Sequence, residues 1–148
     1  MRDALYTLFA DKLLLPQPAV SWLLDVWDVI QTLDDYADDE PVSRERLDQL
    51  IWLTLVQMPH STFARAHMDS LAPMLATAVL KWQASDSAER EGAADARSYM
   101  WRAGYYDLVL LVYSLCHGPD AARRGGARLI LSTYGESLDD YLQEFSHA

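Results

Sequence analysis

The chain has 148 residues and a formal charge of −10 at pH 7, from 12 Lys and Arg against 22 Asp and Glu. At 51% hydrophobic and 23% charged residues it has a globular composition, and its acidity opposes both nucleic-acid backbones, which require cations to displace counterions, and anionic membrane surfaces. Cys116 is the only cysteine, which excludes an intrachain disulfide and a multi-cysteine zinc site. The first helix is expected from about Asp3 to Leu14, stopping before Pro16, and the second from about Ala19 to Asp38. In the second, Trp22, Leu23, Val26, Val29, Ile30, Leu33 and Ala37 recur at helical spacing. Glu40-Pro41 ends it. Ser43 is a good N-cap for a third helix running to Met58, with Val42 and Leu47 at the positions of a hydrophobic staple and Pro59 as the stop. The fourth covers about Thr62 to Ala84, and Pro73 either kinks it or starts a new helix capped by Ser70.

The polar stretch Ser85 to Gly92, SDSAEREG, reads as a loop or frayed end. A fifth helix is expected from about Ala93 to Cys116. Between Tyr105 and Leu115 its apolar residues point in all directions, which places it centrally in the fold. Gly118 caps it, and Pro119 opens a sixth helix to about Tyr134, with Gly125-Gly126 as a bend or a close helix contact. Gly135 closes the sixth, and Ser137 caps a short tail helix, Leu138 to Phe145. Alternating strand patterns, repeats and linkers are lacking, so the expectation is an all-α, single-domain bundle of about six helices over residues 1–148. The N-terminal stretch MRDALYTLFADKLLL carries acidic residues and no cleavage-type motif, and the longest unbroken apolar run is Leu108 to Tyr113. A cytoplasmic protein with no membrane span is therefore expected.

The strongest chemical signal is LDDYADDE, Leu33 to Glu40. Asp34 and Asp38 share a helix face at i, i+4, and grouped hard oxygen ligands suit Mg²⁺. Asp34-Asp35-Tyr36-Ala37-Asp38 fits a DDxxD pattern and resembles the trans-isoprenyl diphosphate synthases and terpene synthases. That resemblance covers about five to ten residues. It implies Mg²⁺ gripping a diphosphate, with Asp34 and Asp38 as ligands and Asp35 as a helper. The family also uses a second acidic motif, for which Asp107 or Asp139, Asp140 and Glu144 are the candidates, and Arg97 and Arg102 would grip the diphosphate. The all-α nucleotide pyrophosphohydrolases use similar parts at a better-matching size, but Asp25-x-x-Asp28 is only a faint echo of their glutamate-rich motif. The competing reading makes Asp25, Asp28, Thr32, Asp35 and Asp39 a solvated face opposite the apolar stripe. Asp34 and Asp38 would then be ion-paired to Arg97, Arg102 or Lys81. Asp107 is expected either as a buried carboxylate paired with an Arg or a hydroxyl, or as a ligand facing the second helix.

His60, His67, His117 and His147 form no metal-pair motif, and no Ser or Cys lies in a nucleophile motif. Asp25 to Asp48 holds nine acidic and two basic residues, whereas Arg123, Arg124 and Arg128 form a small basic patch. Five Trp and eight Tyr fit a subunit interface. Taken together, WLLDVWDVIQTLDDYADDEPV, LKWQASDSAER, WRAGYYDLVL and YGESLDDYLQEF resemble a group of small helical proteins encoded in bacteriophages and prophages, over most of the chain from Trp22 onward. That resemblance implies no activity. The leading expectation is a non-enzymatic interaction module with no cofactor, acting as a homodimer or on a protein partner. The alternative is a Mg²⁺-dependent diphosphate-binding or hydrolysing protein using Asp34, Asp35, Asp38 and Asp107.

Overall fold

Caps and breakers written into the sequence delimit most of the elements. The structure, a computed structural model, describes residues 1–133 and 135–146; Tyr134, at the expected end of the sixth helix, and His147 lie outside the described residues. Every regular element among the described residues is helical. The helices are α1 (Arg2–Thr7), α2 (Gln17–Ala37), α3 (Arg44–Trp52), α4 (Met58–His60), α5 (Thr62–Arg90), α6 (Ala96–Trp101), α7 (Gly104–His117), α8 (Pro119–Thr133) and α9 (Leu138–Gln143). No helix among the described residues is long and apolar enough to cross a membrane. The chain divides into two compact units, Met1–Met68 and Asp69–Ala148.

In the first unit α1 and α3 each run on into a π-helical turn, Leu8–Lys12 and Leu53–Gln57. Such wide turns are rare and concentrate at functional sites. Ser43 caps α3 as expected, its Oγ accepting from the Arg46 N–H at 3.1 Å. Pro59 does not stop the chain at once: α4 follows the π turn without a break and carries the chain past it to His60. The helix breaks instead at Ser61, whose ψ of 129° is extended. The core of this unit is built on the first half of α2, where Ala19, Val20, Trp22, Leu23, Leu24, Asp25 and Val26 are all buried. Trp22 packs against Phe63 with ring centroids 5.8 Å apart. The expected apolar stripe fades along α2, since Leu33 is 46% exposed while Thr32, assigned to the solvated face, is buried. Thr32 tolerates burial because its hydroxyl donates to the Asp28 carbonyl at 3.1 Å.

In the second unit two boundaries differ from expectation. The polar stretch from Ser85 is helical to Arg90: Ser85 is buried and its hydroxyl donates to the Ser98 carbonyl at 2.9 Å, while Asp86 and Arg90 pair at i, i+4. Gly92, at φ 73°, turns the chain out of the helix. Pro73 neither breaks α5 nor starts a helix; it lies inside it. The expected fifth helix is two helices, α6 and α7, parted at Arg102-Ala103. Asp95 begins α6 with a capping box, and Gly104 begins α7 against Ala78, where an added Cβ would lie 3.2 Å from the Ala78 Cα. α7 packs along α8, and Gly126 permits the approach, since a Cβ there would meet Leu110 at 3.4 Å. The glycine pair is thus a helix contact within an unbroken α8. Ser137 caps α9 as expected, accepting from the Asp140 N–H at 3.1 Å.

Candidate functional site

The π turn after α3 shapes an open cleft of about 410 Å³ in the first unit. It carries Gln57 on its last position, and Gln57 Nε2 donates to both carboxylate oxygens of Asp25, at 3.1 and 3.0 Å. Trp22 and Asp25 from α2, Trp52 and Val56 from α3 and its π turn, and His60, Ser61 and Thr62 from the α4–α5 junction line the cleft. The lining is graded. Asp25 is 7% exposed at the base, while Trp52 is 59% exposed and presents an indole to solvent.

Burial pushes the Asp25 carboxyl above its ordinary range. The Gln57 hydrogen bonds oppose that shift, the nearby Asp28 charge adds to it, and Arg2 lowers it. The Arg2 guanidinium is itself engaged with Asp28, at 3.2 Å. A carboxyl whose pKa is raised on folding holds its proton longer in the native state than in the unfolded chain. Stability therefore falls as pH rises from the ordinary value of 3.8 through the raised one, and the deficit persists above both. Asp25→Asn is expected to be more stable than the parent near neutral pH, with the gain vanishing below about pH 3. Urea unfolding at both pH values tests this; a variant destabilised at neutral pH would show that the Gln57 bonds outweigh desolvation.

The aspartates singled out for metal binding have other surroundings. Asp35 pairs with Arg46 at 2.9 Å, and Arg46 also reaches the Thr32 hydroxyl at 3.4 Å. Asp34 is half-buried and Asp38 exposed at the end of α2, the Asp38 N–H donating to the Asp34 carbonyl at 3.0 Å. Asp107, in the second unit, pairs with Lys81 at 2.7 Å and is partly exposed rather than buried. Among the described residues no three His, Cys, Asp or Glu side chains form a group that could hold a metal ion. Of the basic residues proposed as their partners, Lys81 serves Asp107 and Arg97 serves Asp95 at 2.9 Å. Cys116 is half-buried, with its thiol pKa pushed up by burial, which leaves it a weak nucleophile. Comparison with known proteins gives no match: no family model, no curated protein and no solved structure is similar to this chain.

A second polar cluster lies in the second unit and has the character of a clasp. The Tyr141 hydroxyl from α9 sits 2.7 Å from Ser98 Oγ on α6 and 2.9 Å from Glu89 Oε2 on α5. Ser98 Oγ also donates to the Asp95 carbonyl at 3.0 Å and accepts its N–H at 2.9 Å. Arg102 stacks over the Tyr141 ring at 4.8 Å, between Glu136 and Glu144 at 3.8 and 3.9 Å, its Nη1 buried with no hydrogen-bond partner. Tyr99 completes the clasp by donating to the Glu136 carbonyl.

Asp25, expected on a solvated face, is thus the buried base of the cleft. The signal that locates it is present in the sequence: in AVSWLLDV apolar residues surround Asp25 on nearly every side of the helix, which marks a turn buried all round. Gln57 carries no such signal, because its partnership depends on a wide turn that spacing rules for ordinary helices do not anticipate.

Proposed function

We propose that the protein is a non-enzymatic interaction module and that it acts as a homodimer. One observation carries this reading. Along α3 and its π turn Leu47, Ile51, Trp52, Leu55 and Val56 are 40–73% exposed, an apolar face rimmed by Glu45 and Asp48. Contiguous exposed apolar surface of this sort marks interaction sites. A second copy supplies the complement: on α8, Arg124, Arg128 and the 83% exposed Leu131 share one face at helical spacing. Arg124 and Arg128 form no ion pair among the described residues. Two such contacts related by a two-fold axis would bury both apolar faces and match acid to base, with burial supplying affinity and charge setting orientation.

Sedimentation at micromolar concentration is expected to give twice the chain mass. Leu55→Glu and Leu131→Glu, both at exposed positions, are each expected to weaken the dimer at least about tenfold while leaving the circular dichroism unchanged. A monomer at every concentration, or a dimer indifferent to both substitutions, overturns the reading.

A further inference from the structure

We infer that the cleft between Asp25 and Trp52 is a binding site for a guanidinium group. The cleft joins a carboxylate base, an accessible indole and the aliphatic Val56 within about 410 Å³, a space that admits a planar cation and a short chain behind it. Among the described residues Asp25 makes no ion pair; its hydrogen-bond partner is the uncharged amide of Gln57, and Arg2, whose charge reaches it from a distance, is held by Asp28. A carboxylate taken out of water and hydrogen-bonded only to a neutral amide lacks a cation in contact with it. A cation entering along the cleft supplies it, and the exposed Trp52 indole offers that cation a π face on the way in.

Guanidinium suits this arrangement better than an ammonium. It is planar and weakly hydrated, so it loses less on leaving water, and it combines stacking on an aromatic ring with paired N–H donors toward the two oxygens of one carboxylate. Ser21, Ser61 and Thr62 on the lining provide further acceptors. The π turn holds Gln57 behind the carboxylate, fixing its plane without neutralising it.

The test titrates the full chain with ethylguanidinium and follows backbone and Trp indole N–H signals by NMR. Saturable shifts centred on Trp52, with a Kd on the order of 1 mM, are expected for so small a ligand. N-ethylurea, of similar shape and no charge, is expected to bind at least about tenfold more weakly. Asp25→Asn, which keeps a side chain able to pair with Gln57, and Trp52→Ala, at an exposed position, are each expected to weaken binding at least about tenfold while the spectra remain those of a folded protein. Absence of saturation at about 50 mM, equal binding of the urea, or binding unaffected by Asp25→Asn overturns the inference. A blocked Gly-Arg-Gly peptide separates the two sources of the group: binding as tight as ethylguanidinium assigns an arginine side chain, and exclusion of the peptide assigns a free guanidino compound. Trp52 and Val56 also belong to the proposed dimer face, whereas Leu55 does not line the cleft; Leu55→Glu, which weakens the dimer, is therefore expected to bind ethylguanidinium at least as tightly as the parent, so that failure of the dimer and failure of the site are read separately.

Discussion

Tyr141→Ala is expected to destabilise the protein by about 3–5 kcal/mol, the range for truncating a fully buried aromatic. The ring is 0% exposed and touches Tyr99 and Phe145 at centroid distances of 5.6 and 5.1 Å, with the Arg102 guanidinium stacked above it. Its hydroxyl joins α9 to both Ser98 and Glu89, so the truncation opens a cavity and strips two polar groups of a partner. Tyr141→Phe separates the contributions: it keeps the packing and is expected to cost about 1.5–3 kcal/mol, the range for a hydrogen bond to a charged group such as the Glu89 carboxylate. Urea denaturation of both variants reads the two terms. If Tyr141→Ala costs less than about 1 kcal/mol, α9 does not dock through this residue and the clasp is ornamental.

Trp22→Ala is expected to be comparably severe, at about 3–5 kcal/mol. Trp22 is 1% exposed and belongs to the run of buried residues in the first half of α2, with Phe63 tilted 56° against it. The loss combines apolar transfer, a cavity and an aromatic pair worth about 1 kcal/mol on its own. Phe63→Leu should forfeit the pair while retaining most of the volume, so a double-mutant cycle of the two isolates it. A coupling energy near zero would mean that the rings are neighbours without preference for each other.

Legibility in the sequence divides along a physical line. Caps depend on one side chain and the backbone beside it, and Ser43 and Ser137 both fulfil that role where expected. The all-helical character comes from spacing that repeats over many residues and survives individual exceptions. Features set by a distant partner are hidden. Ser85 looks like a loop residue until Ser98 offers a carbonyl to its hydroxyl, and the helix then continues through a polar stretch to Arg90. The break at Arg102-Ala103 has no local punctuation strong enough to announce it; the nearest mark is Gly104, which is set closely against Ala78 and begins the next helix. Asp107 stands among apolar neighbours in the chain, yet Lys81 meets it at a partly exposed position, so the expected cost of deep burial does not arise. Asp25 is the reverse case, a residue whose spacing says solvent and whose surroundings say core.

The wide turn at Leu53–Gln57 has a consequence for how this protein can vary. A π turn closes its hydrogen bonds one residue later than an α-helical turn, so it accommodates one residue more over the same rise. Removing a single residue from this segment would let the α-helical ladder run on without interruption, and each residue is worth about 100° of rotation about the axis. Gln57 would then swing away from Asp25 with its identity untouched. The pairing at the base of the cleft is therefore encoded in the length of the chain as much as in its letters. Among descendants of this sequence a one-residue gap here would abolish it, even with Asp25, Trp52 and Gln57 all retained.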